Sequence, residues 1–116
     1  MKLRSLLGLL AAILVLTVGS LRLSAQETTG GMHGTVKDAT GAVVPQAKVA
    51  ITSTSMMGSK EVETDASGYY HFSNLPPGDY TVTVSMKGFA AIRRGGVTIQ
   101  VGHLPTVDFQ LEVGDD

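Results

Sequence analysis

Apolar residues recur at every second position along most of the chain after residue 25. Such alternation buries one face of a strand and leaves the other face in water. Gly-, Pro- and Asp-rich turn signals separate the runs at intervals of about 8–12 residues, a spacing typical of sandwiches. The sequence therefore predicts an all-β antiparallel sandwich of six or seven short strands. The alternating runs cover residues 35–37, 47–52, 69–72, 80–86, 97–101 and 107–113.

The first 25 residues differ sharply from this pattern. Two basic residues precede an apolar run over residues 6–18, and small Ala25 lies at the end of the polar stretch that follows. This order is typical of a secretory signal peptide, and the run is short for a membrane span. We predict a signal peptide over residues 1–25. Cleavage after Ser20 and an uncleaved N-terminal anchor are the alternatives.

The remaining residues carry a net negative charge and no cysteine. Of the nine Lys and Arg, three lie in the first 25 residues, so six face ten Asp and Glu, a net charge of −4. Clustered basic charge is required for nucleic-acid binding, so this class of partner is excluded. Without cysteine, an exported domain must be stabilised by its core rather than by disulfides. We predict a mobile polar leader over residues 26–31 and a domain over residues 32–113.

Two short stretches share the pattern Asp-Ala-Ser/Thr-Gly, from Asp38 to Gly41 and from Asp65 to Gly68. Asp at the first position of a turn accepts a hydrogen bond from the backbone two residues on, and Gly tolerates the positive φ at the exit. The alternative makes these carboxylates calcium ligands, but calcium needs six to eight oxygens and each loop offers one acid. Turn chemistry is therefore the favoured interpretation.

A Leu-Pro-Pro-Gly-Asp-Tyr stretch, residues 75–80, predicts a sharp corner between two strands. Its prolines, ending in Pro77, interrupt the strand, and Gly78 allows the chain to reverse. Tyr80 then begins a valine-rich strand, the placement of a tyrosine corner, in which the ring packs inward and the hydroxyl bonds to nearby backbone. A catalytic tyrosine would look the same in sequence, but the corner is the simpler interpretation.

No pattern of catalytic or metal-binding residues is found. The three histidines, His33, His71 and His103, lack an acid at the third position after them, so no zinc-peptidase helix motif is present. A Ser-His-Asp set could be assembled from scattered residues, but no Gly-x-Ser-x-Gly nucleophile turn occurs. We interpret the histidines as three unrelated surface residues. The sequence predicts a non-enzymatic protein without a metal or other cofactor.

The motifs, in their order along the chain, resemble those of the carboxypeptidase regulatory-like domain. The resemblance covers roughly residues 32–113 and implies a transthyretin-like, Ig-like Greek-key sandwich of about seven strands. It also implies an accessory role, since such domains follow the catalytic domain of metallocarboxypeptidases and precede some TonB-dependent outer-membrane receptors. The residues that carry it include Gly34, Val36, Asp38, Gly41, Asp65, Gly68, Tyr70, Phe72, Pro77, Gly78 and Tyr80.

The resemblance and the export signal together favour an accessory or interaction module of the cell envelope. Its expected location is the periplasm, the outer membrane surface or the medium, with no membrane span after signal cleavage, and one expected context is a TonB-dependent receptor-like system. The expected partner is an envelope or extracellular protein. The alternative is a carbohydrate-binding module with a carbohydrate-binding-like fold. Candidate binding residues are Tyr69, Phe89, Arg93 and Arg94.

Overall fold

The computed structural model describes Gly8 and residues 27–114, so the predicted signal peptide lies, except for Gly8, outside the described residues. The described part of the chain forms seven strands and confirms the predicted all-β sandwich. The strands are β1 (Gly30–Asp38), β2 (Lys48–Thr52), β3 (Ser59–Glu63), β4 (Tyr69–Leu75), β5 (Gly78–Ser85), β6 (Ile92–Ile99) and β7 (Phe109–Leu111).

The strands form two sheets, one of three strands in the order β4-β1-β7 and one of four in the order β3-β2-β5-β6. Four of the five strand pairings are antiparallel, but β1 and β7 are parallel, with Val36 opposite Phe109. The expectation of a wholly antiparallel sandwich is wrong at this pair. Its cause is the connection after β6, which crosses to the other sheet and runs alongside β1 before β7 begins.

The core lies between the two sheets and is built by the inward residues of the alternating runs. Val49 and Ile51 of β2 lie opposite Val84 and Val82 of β5, and all four are fully buried. Thr64 is the buried polar residue of the described chain, and its hydroxyl donates to the Val44 carbonyl at 2.6 Å while accepting from the Ala47 amide at 2.9 Å. Both capacities of the hydroxyl are thus used, which removes most of the penalty of its burial.

Several predicted boundaries are corrected by the structure. Strand β1 begins at Gly30, so Gly30 and Gly31 belong to the sheet and not to the predicted leader. The predicted Gly95-Gly96 turn lies inside β6, where the β5–β6 register shifts and Gly96 has a φ of 71°. A Gly pair at such a bulge looks like a turn in sequence because both structures need the same positive φ.

The ends of two predicted alternating runs also lie outside the strands. Val101 follows the end of β6 and is 43% exposed, and Val113 follows β7 and is 84% exposed. Strand β3 was not predicted from the sequence because it contains one apolar residue, Val62, which is half-buried. Within the described residues, no helix has the length and apolar character that a membrane crossing requires.

Candidate functional site

The two Asp turns use their carboxylates to hold the backbone. Asp38 Oδ1 accepts from the Thr40 hydroxyl at 2.6 Å and from the amides of Thr40 at 2.9 Å and Ala42 at 3.1 Å. The pKa of Asp38 is lowered, and the largest cause is the hydrogen bond from the Thr40 hydroxyl. Gly41 leaves this turn with a φ of 88°. This network agrees with turn chemistry and leaves the acid occupied within its own loop.

Asp65 holds the second turn in the same way. Its Oδ1 accepts from the amides of Ser67 at 2.9 Å and Tyr69 at 3.0 Å, and Gly68 follows with a φ of 73°. Across the described residues, no group of three or more His, Cys, Asp or Glu side chains could enclose a metal ion. The two turns therefore offer calcium one carboxylate each, already bonded to backbone.

Tyr80 has the geometry of a tyrosine corner. Its side chain is 1% exposed, and its hydroxyl donates to the Pro76 carbonyl at 2.7 Å. Burial raises the pKa of the Tyr80 phenol. Pro77 lies exposed at the tip, and Gly78 has a φ of 150°. A phenol bonded in this way ties the corner to the strand that follows it.

Tyr70 makes a second buried phenol bond that the sequence did not predict. Its hydroxyl donates to the Val107 carbonyl, and its ring contacts Phe72 edge-on at 6.0 Å and Phe109 at 6.3 Å between centroids. Burial, and to a lesser extent the charge of Asp108, raise the pKa of Tyr70. Tyr70 thereby links β4 to the segment that runs beside β1, and its role is structural.

The four candidate binding residues do not form one surface. Tyr69 is 37% exposed on β4, in the three-stranded sheet, whereas Arg93 is exposed on β6, in the four-stranded sheet. Phe89 is half-buried and packs against the core. Arg93 and Arg94 are neighbours in strand β6, and so their side chains project to opposite faces of the sheet.

Arg94 closes the open side of the sandwich between β6 and β7. Its guanidinium carbon lies 4.5 Å from the centroid of the Phe109 ring, and one of its nitrogens donates to the Asp108 carbonyl at 3.2 Å. A cation over an aromatic face is stabilising by about 0.5–1 kcal/mol at an exposed site. An inward-pointing charge on an edge strand also discourages pairing with another sheet. Arg94 is therefore engaged within the domain and is not a candidate for binding a partner.

Three rings cluster on the outer face of the three-stranded sheet, and we call His33, Tyr69 and His71 the ring cluster. The Tyr69 centroid lies 5.8 Å from that of His33 and 6.5 Å from that of His71, with the latter pair of rings nearly parallel at 8°. The Nε2 atom of His33 is 2.9 Å from the Thr106 hydroxyl oxygen. The interpretation of unrelated histidines is wrong for His33 and His71, which are cross-strand partners.

A groove of about 460 Å³ begins beside His71 and follows the end of the three-stranded sheet. Polar residues line part of it, among them Asn74, which has a φ of 57°, and His103. Leu104, 50% exposed, adds an apolar patch to the same wall. Of the ring cluster, His71 lines this groove.

Comparison with known proteins places this architecture in a family. Residues 31–112 match the carboxypeptidase regulatory-like domain. The chain belongs to the carboxypeptidase regulatory-like domain family. The predicted resemblance is thus confirmed, with the family match covering most of the chain and all seven strands except the first residue of β1.

A relative that resembles this domain in sequence is the TonB-dependent transporter Oar of Myxococcus xanthus. The two are 36% identical over 80 residues, which amount to 67% of this chain and 7% of the transporter. The chain therefore spans a small part of the length of this relative. The similarity shows that a domain of this kind occurs within a TonB-dependent transporter. Because the match covers 7% of the transporter, it says nothing about transport by this chain.

Solved structures share the fold of this regulatory-like domain at low sequence identity. The Bacillus anthracis TIE protein superposes with a TM-score of 0.64 at 18% identity, over 74% of this chain and 17% of that one. A candidate carbohydrate-binding protein from Bacteroides uniformis gives 0.57 at 15% identity, over 70% and 40%. A minor pilin and a catechol dioxygenase also have this fold. The structural similarity therefore establishes the fold of this chain and does not establish its function.

Proposed function

We propose that this chain is an exported, non-enzymatic interaction module of the cell envelope that contacts a partner protein through the β6 edge of its four-stranded sheet. The observation that carries the proposal is the family match over residues 31–112 together with the identity to part of a TonB-dependent transporter. The apolar run of residues 6–18 in the sequence supports export. One context that fits is a TonB-dependent receptor-like system.

The site geometry supports a binding role over a catalytic one. The conspicuous Asp and Tyr side chains are hydrogen-bonded to backbone: Asp65 within its turn, and Tyr70 and Tyr80 in the protein interior. A catalytic acid, base or nucleophile needs a free, positioned group within reach of substrate. What lies exposed is sheet surface, including the outer face of β6 around Arg93, and exposed sheet edges commonly receive partner segments.

The proposal predicts an exported species that cross-links from one edge of the four-stranded sheet. Cell fractionation and intact-mass measurement should find a mature protein beginning at Gln26 outside the cytoplasm. A photoreactive residue at position 93, on edge strand β6, should then yield a defined adduct with an envelope protein. Position 61, exposed on the opposite edge strand β3, is the matched control and should yield none. A full-length membrane-embedded product, or the same adducts from both positions, would refute the proposal.

Carbohydrate binding is the second candidate, and the ring cluster is the observation that favours it. Tyr69 offers an exposed ring, and the groove beside His71 offers polar groups for hydroxyls. A structural neighbour is itself a candidate carbohydrate-binding protein.

If a sugar stacks on this ring, soluble glycans should raise the melting temperature by mass action. The shift should disappear in Tyr69→Ala and persist in Arg93→Ala, an exposed change on the other sheet. No shift with any glycan, or an equal loss in both variants, would remove this candidate.

A further inference from the structure

We propose that His33 and His71 form a two-histidine site for a divalent first-row transition metal ion of the Zn²⁺, Ni²⁺ or Cu²⁺ class. This inference does not depend on the proposed partner, and its residues belong to the ring cluster that also favours the carbohydrate candidate. It differs from the sequence prediction of a protein without a metal site, which stays a prediction. The structural observation behind it is the register of β1 and β4, in which His33 and His71 are direct cross-strand partners.

The backbone hydrogen bonds show which kind of cross-strand pair this is. The His33 amide donates to the Pro105 carbonyl at 3.2 Å, and the His33 carbonyl accepts from the Val107 amide at 2.8 Å. Both backbone groups of His33 therefore point away from β4 and toward the neighbouring segment. His33 and His71 must then be a non-hydrogen-bonded pair, the kind in which Cα atoms are about 4.5 Å apart and side chains are closest.

Both imidazoles project from the same, outer face of the sheet. Directly opposite residues of a pleated sheet share a face, and Met32 and Phe72, one position away on each strand, are buried on the inner face. His71 is exposed and His33 half-buried, so an ion can reach them from solvent. Two imidazoles at this spacing on a rigid sheet can both approach one ion at the zinc–nitrogen distance of about 2.0–2.1 Å.

The surroundings restrict the orientation of both rings. The Thr106 hydroxyl lies 2.9 Å from Nε2 of His33, so this nitrogen is engaged by Thr106 and Nδ1 is the one left to bind an ion. Tyr69 packs beside both imidazoles. Partners of this kind hold a ligating histidine in one orientation and strengthen metal binding. Because imidazole nitrogen suits zinc, nickel and copper rather than calcium or magnesium, the donor set selects the ion class.

The site would hold its ion loosely. The described residues add no third His, Cys or acidic ligand to the pair, so water would fill the other positions, unlike a closed structural zinc site with four protein ligands. An ion held by two side chains on one solvent-accessible face of a sheet exchanges readily with solvent. The site therefore fits reversible capture of a metal ion, and the fold does not depend on it.

Titration of the full chain with zinc chloride, followed by calorimetry, tests the site. The wild type should bind one ion, and His33→Ala and His71→Ala should each weaken binding at least about tenfold, the smallest loss typical of a disrupted metal shell. His103→Ala is the matched control, since His103 is an exposed histidine in the turn after β6. The His103→Ala variant should bind zinc with an affinity within about twofold of the wild type, because His103 is not one of the two proposed ligands.

A spectroscopic measurement distinguishes ligation from a loss of folding. The electron paramagnetic resonance spectrum of the Cu²⁺ complex should show two coordinated nitrogens in the wild type and in His103→Ala, and fewer in the other two variants. Metal-free melts should show that all three variants remain folded, because the replaced side chains lie outside the core. Absence of saturable binding, or equal losses in His103→Ala and His71→Ala, would overturn the proposal.

Discussion

Replacing Gly34 by alanine should destabilise the domain more than any surface change, by at least the upper end of the usual overpacking cost of about 1–3 kcal/mol. A Cβ at this position would lie 1.9 Å from the Val107 carbonyl oxygen and 2.7 Å from its carbon. Both atoms are backbone, so relief requires β1 and the segment beside it to separate. Urea unfolding followed by far-ultraviolet circular dichroism measures the loss.

Gly95→Ala is the matched control for this prediction. Gly95 lies in β6, and the nearest atom to an added Cβ there is Thr81 Oγ1 at 3.7 Å, an ordinary contact. Its free energy of unfolding should stay within about 0.5 kcal/mol of the wild type, as for most surface substitutions. Equal losses at Gly34 and Gly95 would show that the close approach of β1 to the Val107 backbone does not exist in solution.

Tyr80→Ala should cost about 3–5 kcal/mol, because it empties a large buried site. Tyr80→Phe should cost about 1 kcal/mol, since it removes the hydroxyl and leaves the Pro76 carbonyl without this donor. The difference between the two variants separates the packing of the ring from the hydrogen bond of the corner. Urea melts of both proteins provide the measurement.

Ser67→Ala and His71→Ala serve as controls for the Tyr80 series, because both side chains are exposed on the turn and strand before the corner. Each should remain within about 0.5 kcal/mol of the wild type in metal-free buffer. A large loss at His71 with none at Tyr80 would mean that β4 and β5 present the opposite faces to the core.

Periodicity predicted the parts of the fold in which burial alternates. The runs at residues 47–52 and 80–86 became β2 and β5 because they lie at the centre of a sheet and bury every second side chain. Strand β3 escaped prediction because an edge strand buries little, and its charged residues leave no apolar period. The alternating pattern therefore identifies strands that bury one face and does not identify edge strands such as β3.

The candidate site was less predictable, because a sequence pattern does not specify which strands are neighbours. Nothing in the local sequence around His33 or His71 indicates that they lie opposite each other, since register depends on the whole sheet. The same limit explains Arg93 and Arg94, whose side chains lie on opposite faces because both residues belong to strand β6. Tyr80 was predictable because its corner is a local motif.

The parallel pairing of β1 has a consequence for how the chain folds. Contacts such as the Thr35 amide to Asp108 Oδ1 join residues 73 positions apart. Closing so long a loop costs conformational entropy before any stabilising contact forms, and this cost slows the folding of strand-rich domains. Strand β1 is synthesised first, but one of its sides can pair only after β7, the last strand, has been synthesised. In shortened chains that lack residues 103–111, that side of β1 would remain unpaired. Synthesis of the C-terminal segment sets the earliest moment at which the native sandwich can form.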